Sequence, residues 1–151
     1  MIQRIQTVYL FLSGVVMSFL VFNHMVSIES SDRSAELWLS GIKDSGTGDY
    51  LIQSWPLMAL AVIIIFLYLI TILMYKKREL QMRLVVYVII LVFSFVGVGA
   101  FYVIQGANMM DGKITMEYFS VMPGVAVILS ILAWRGIRRD YLMLKAVDRI
   151  R

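Results

Sequence analysis

The chain has 151 residues, 60% of them hydrophobic, a mean hydropathy of +0.82 and a formal net charge of +4. Soluble domains are about 45–50% apolar, so the excess points to lipid, and a charge this small and this unevenly spread does not indicate nucleic acid. There is no cysteine, which excludes disulfides and thiolate metal sites.

Residues 5–26 carry no charge. Their twenty-two positions, at about 1.5 Å each, are enough to cross the hydrocarbon core as a helix. Arg4 precedes them as in a signal peptide, but no small-x-small cleavage site follows, so the segment reads as a retained first span. Residues 27–54 form the longest polar stretch, with Glu29, Asp32, Glu36, Asp44 and Asp49 against Arg33 and Lys43. Glu36 to Lys43 alternates loosely, Ser45-Gly46-Thr47-Gly48 is turn chemistry, and Tyr50-Leu51-Ile52 follows. The stretch predicts either a small β-hairpin on the membrane surface or an irregular loop.

Residues 55–75 are the second span. Pro56 sits in its first turn, where a missing N–H costs nothing, and Trp55 and Tyr75 bracket it as interfacial rings. The basic break Lys76-Lys77-Arg78-Glu79-Leu80-Gln81-Met82-Arg83 separates it from a third uncharged span, 84–104. A short loop leads to a fourth span, 118–134. Residues 135–151 read as an amphipathic cytoplasmic tail continuing that helix, with Gly136 as a hinge. Arg138, Lys145 and Arg149 fall on one helical face of this tail, a candidate docking face for anionic lipid or an acidic partner.

Four spans place both termini on one side. Eleven of the fourteen Lys and Arg residues lie at the N-terminus, the central break and the tail; only Arg33, Lys43 and Lys113 lie on the other side. The positive-inside rule makes the first group cytoplasmic. The expected fold is therefore an all-α membrane protein, one domain over residues 1–151. It has four transmembrane helices, both termini cytoplasmic, and a small extracytoplasmic loop or β-hairpin between the first two.

The two helical hairpins show similarities. Pro56 and Pro123 lie near the starts of the descending spans, and Lys77-Arg78-Glu79-Leu80-Gln81-Met82 matches Arg138-Arg139-Asp140-Tyr141-Leu142-Met143 in pattern. A duplication would be parallel, with its pseudo-twofold axis along the membrane normal. The basic inner ends and polar outer ends that all helical hairpins share are the plainer explanation of the likeness.

No Asp, Glu, Lys or Arg falls inside these spans, which counts against an ion-coupled transporter. His24 stands alone, so no catalytic constellation, no metal site and no cofactor site is expected. Methionines 25, 109, 110, 116 and 122 lack the close spacing of a copper site and read as adaptable packing. Small residues form lines: Gly14 and Ser18; Ser94, Gly97 and Ala100; Ser120 and Gly124; Ala126 and Ser130. They predict close helix packing or contact with a partner helix. Gly97→Leu is accordingly expected to disrupt the fold more than Gly112→Leu.

Three segments carry a family resemblance: Met1-Ile2-Gln3-Arg4-Ile5-Gln6-Thr7, Lys77-Arg78-Glu79-Leu80-Gln81-Met82-Arg83-Leu84, and the tail from Leu132 to Arg151, ending Val147-Asp148-Arg149-Ile150-Arg151. The chain resembles the small four-span inner-membrane proteins of the Bacteroidota grouped as domain-of-unknown-function family 4293. The resemblance implies a bacterial cytoplasmic-membrane protein and no activity. Two functions are expected. One is a non-enzymatic accessory subunit of a larger membrane assembly, such as a translocation or secretion complex, in contact with membrane lipids. The other is a small-molecule or lipid carrier acting as a homo-oligomer.

Overall fold

The computed structural model describes residues 3–30, 34–75 and 77–148. It contains four long α-helices, but the fold is not all-α: a five-stranded antiparallel sheet covers one end of the bundle. The helices are α1 (Gln3–Phe22), α2 (Trp55–Leu73), α3 (Arg78–Met110) and α4 (Met122–Asp148), with a 3₁₀ turn at Tyr118–Val121. The strands are β1 (Val26–Glu29), β2 (Ser34–Trp38), β3 (Gly41–Asp44), β4 (Tyr50–Gln53) and β5 (Lys113–Met116), in the order β4-β3-β2-β1-β5.

Three of the helices, Trp55–Leu73, Arg78–Met110 and Tyr118–Met143 with its leading 3₁₀ turn, are long and apolar enough to cross a membrane; the apolar part of α1, Ile5–Phe19, is shorter. The first span predicted to residue 26 ends at Phe22, because Met25 and Val26 are drawn into the sheet. Large side chains such as Phe11, Phe22, Phe66, Leu73, Phe93 and Phe101 stand exposed around the bundle. An apolar belt of this extent is stable only against lipid or a partner.

Each helix packs on two neighbours, α1 on α2 and α4, α3 on α2 and α4, so α1 and α3 occupy opposite corners. This is the arrangement a pseudo-twofold axis between the α1–α2 and α3–α4 hairpins requires. The pairing of β1 with the edge strand β5 has the same local symmetry. β1 crosses β5 with Ser27 opposite Thr115, flanked by Val26–Met116 and Ile28–Ile114.

Alternation along the strands sorts the sheet into two faces. Val26, Ile28, Ala35, Leu37 and Ile42 are buried on the inner face, while Ser27, Glu36, Lys43 and Thr115 share the outer one by register. The inner face rests on the end of α3, where Gly106 makes room. A Cβ there would lie 2.6 Å from the Ile42 Cδ1 and 3.0 Å from the Ile28 Cδ1. Hydrogen bonds fasten the cap: Ser30 Oγ donates to the Met110 carbonyl at 2.7 Å, Ser54 Oγ to the Leu39 carbonyl at 3.1 Å, and Ser120 Oγ to the Met25 carbonyl. Gly41, at φ 154°, opens β3 where a side chain would strike the Ile52 carbonyl.

The basic break is compact. α2 stops at Leu73, and α3 begins at Arg78 with Glu79 in its first turn, where a carboxylate suits the helix dipole. α4 runs through Gly136 without a hinge.

Candidate functional site

The described residues offer two polar clusters inside the bundle and two surfaces on the sheet. The first cluster lies at the basic end. Asp140 on α4 is buried, and its Oδ2 accepts a 2.8 Å hydrogen bond from Gln6 Nε2 of α1. Arg78 at the start of α3 places a guanidinium nitrogen 3.9 Å from the same oxygen. Gln81, also buried, donates from Nε2 to the Thr71 carbonyl of α2 at 3.1 Å. All four helices therefore meet in side-chain hydrogen bonds or ion pairs at this end. Gly136, expected as a hinge, instead admits Gln6, whose Cγ lies 2.9 Å from where a Cβ would stand.

The second cluster lies at mid-bundle. The Tyr68 hydroxyl of α2 and Ser130 Oγ of α4 are 2.7 Å apart, and Ser130 Oγ donates to the Ala126 carbonyl at 2.7 Å. Ser13 of α1 donates to the Tyr9 carbonyl at 2.8 Å. Gly14 lets the Tyr68 ring pass close, 3.5 Å from its Cβ to a Cβ position on the glycine. Interhelical hydrogen bonds of this kind in membranes are worth about 0.6 kcal/mol on average. Among the described residues no buried side-chain nitrogen or oxygen lacks a partner. The described polar groups inside the bundle are thus satisfied within the protein.

The predicted small-residue lines divide between these settings. Gly14 meets Tyr68, Ala126 and Ser130 are fully buried, and Ser18, half-buried, bonds back to the Gly14 carbonyl at 2.8 Å. Ser94, Gly97, Ala100 and Gly124 face outward. A Cβ at Gly97 or Gly124 would meet nothing within 4 Å.

On the predicted docking face, Arg138 and Lys145 are exposed. The Arg138 guanidinium lies 5.2 Å from the Trp134 ring and the Lys145 ammonium 5.9 Å from the Tyr141 ring, both cation–π contacts. Arg149 lies outside the described residues. The opposite side of this stretch is not solvated, because Ile137 and Asp140 are buried. The spacing Ala126, Ser130, Ala133, Ile137, Asp140 is a continuous buried stripe of alternating fours and threes. That stripe carries Asp140 inside the bundle rather than on a tail.

The outer sheet face carries a cluster of rings and charges. Lys43 Nζ lies 5.1 Å from the Trp38 ring centre and 5.0 Å from that of Tyr50. Trp38 donates to a Glu36 carboxylate oxygen at 3.0 Å, and His24 Nδ1 stands 3.8 Å from the same oxygen. Ser40 and then Lys43 hold the Tyr50 phenol below its usual pKa. Beneath the sheet, between α3, β5 and the start of α4, lies an apolar cavity of about 350 Å³. Its walls include Phe95, Gly99, Ala100 and Val103 of α3, Leu37, Ile114 and Met116 of the sheet, and Pro123.

These features define a helical bundle, three of its helices of lipid-crossing length, with a β-sheet cap, internally satisfied polar groups and chemically different ends. The chain belongs to the family described as domain of unknown function (DUF4293), whose profile matches residues 2–150. No curated protein matches it.

Proposed function

We propose that this chain is a non-enzymatic, multi-pass protein of a bacterial cytoplasmic membrane, acting as an accessory subunit of a larger membrane assembly. The observation that carries the reading is the division of its chemistry. The bundle interior is packed with mutually satisfied polar groups, whereas the rings and charges left accessible, Trp38, Lys43, Tyr50, Arg138 and Lys145, sit at the two ends. Ends of this kind suit contact with other proteins, and interior polar groups already bonded to one another do not suit polar solute transport. The apolar cavity supports a second reading, binding of a lipid chain, since ligand sites are typically about 300–1,000 Å³ and mostly apolar.

In this reading α1 also crosses the bilayer, the sheet faces outward, and both termini are cytoplasmic, in line with the excess of Lys and Arg at the opposite end. Single cysteines test the orientation in a chain that has none of its own. Ser45→Cys is expected to react with an impermeant thiol reagent in intact spheroplasts, and Leu142→Cys only after lysis; the opposite pattern reverses the assignment.

The subunit reading is tested by purifying the tagged protein in mild detergent and identifying what accompanies it. A reproducible membrane partner, lost when Trp38 and Lys43 or Arg138 and Lys145 are neutralised, is expected. A protein that purifies without one refutes the reading, and a bound lipid in its place favours the second.

A further inference from the structure

β5 is an open edge. Lys113, Ile114, Thr115 and Met116 are all exposed, Met116 to 79%. The Glu117 N–H donates to the Met25 carbonyl, toward β1. Antiparallel ladders alternate the direction of successive residues, so the N–H and C=O groups of Ile114 and Met116 point to the free side. The sheet's other edge differs: β4 pairs with β3 through a register shift at Ile42 and Lys43, a device that discourages further pairing.

The pseudo-twofold shows what β5 is missing. Val26-Ser27-Ile28-Glu29 and Ile114-Thr115-Met116-Glu117 repeat one order: apolar, hydroxyl, apolar, acidic. The edge of β1 that faces away from β5 is covered by β2, whose Ala35 and Leu37 are buried over the core. Beside β5 no described strand takes the equivalent place, and beneath it lies the 350 Å³ cavity, walled in part by Ile114 and Met116.

We propose that β5 of a second copy takes this place, joining two caps into one continuous sheet and roofing the cavity of each. A membrane protein's homodimer axis lies along the membrane normal if both copies keep the same orientation. With the sheet lying across the end of the bundle, that axis is perpendicular to the sheet, and it brings like edges together antiparallel. Centred on Thr115, the segment Lys113-Ile114-Thr115-Met116-Glu117 is self-complementary. Lys113 meets Glu117 of the second copy on the outer face, Ile114 meets Met116 on the inner face, and Thr115 meets itself. The same register lets Ile114 and Met116 exchange backbone hydrogen bonds across the axis. Ile114 and Met116 of the second copy then add to the roof over the cavity, above a wall on which Ala100 is the small exposed residue. This assembly does not depend on the accessory-subunit reading.

The test uses the full chain in its native membrane. Thr115 falls at a non-hydrogen-bonded pair, where Cα atoms are about 4.5 Å apart, inside the disulfide range of about 4.4–6.8 Å. Thr115→Cys is expected to give mainly a disulfide-linked homodimer under mild oxidation, while Leu51→Cys on the β4 edge stays monomeric. Lys113→Glu in the Thr115→Cys background sets like charges opposite each other and is expected to lower cross-linking several-fold; adding Glu117→Lys restores it. Cross-linking at Thr115 no greater than at Leu51, or failure of the double exchange to restore it, overturns the proposal. So does a Thr115→Cys adduct made only with a different protein, which would assign the edge to a foreign strand.

Discussion

Gly112→Leu is expected to destabilise the protein by about 3 kcal/mol, the upper end of the cost of overpacking, and Gly97→Leu to leave its stability unchanged or slightly higher. A Cβ on Gly112 would stand 2.7 Å from the Ile28 Cγ2 and 3.1 Å from the Glu29 carbonyl oxygen. The second contact is backbone of β1, held between β2 and β5, which cannot step aside without breaking its pairing with β5. Gly97 lies mid-way along α3 on the outward-facing side, with nothing within 4 Å of a Cβ position, and glycine is a poor helix former by about 1 kcal/mol. Thermal unfolding of both variants in detergent decides the matter. Equal melting temperatures would mean that the α3–β5 turn does not pack on β1. The order is the reverse of the one the sequence predicts, because Gly97 falls in a line of small residues while Gly112 reads as an exposed loop.

The second large effect is expected at Asp140. Asp140→Ala removes the acceptor of the Gln6 amide and the anion nearest Arg78, and is expected to cost about 2 kcal/mol, within the range for hydrogen bonds to charged groups. The Arg78 side chain keeps 20% of its surface exposed, so water relieves part of its loss and the full penalty of an orphaned buried charge does not apply. Asp140→Asn, which retains an oxygen for Gln6, is expected to fall between wild type and alanine. A double-mutant cycle with Gln6→Ala separates the pair from general packing. Additive losses at the two positions would show that the hydrogen bond does not couple α1 to α4.

The presence of four helical segments, the apolar character of the second, third and fourth, and the basic end of the molecule were legible in the sequence; the first helix was read as a span on the same ground, although its apolar part is shorter. Each depends on a local property: a run of uncharged residues, a proline at a helix start, a cluster of Lys and Arg. Family membership was legible too, in the start, the central break and the tail. The turn at Leu39–Ser40 falls inside the stretch Glu36 to Lys43, which reads as one alternating run. The turn at Ser45–Gly48 announced itself by residue type, so part of the cap was anticipated. Its extent was not. β1 is four residues long and abuts the first span, and β5 is also four residues long, in what reads as a loop. At that length alternation is too brief to distinguish from chance, and the two strands pair across 88 positions of chain, from Ser27 to Thr115. Asp140 was hidden for a related reason. Its neighbours Arg138 and Arg139 are exposed, so the local composition is that of a solvated tail, while its own burial depends on α1 lying alongside. The sequence by itself determined the apolar helices and their charged ends, because hydropathy and charge act residue by residue. Only the tertiary structure decided that a sheet closes the bundle, that Gly112 rather than Gly97 is the tight position, and that Asp140 is an internal clamp. Each of these arises from surfaces far apart in the chain being brought together.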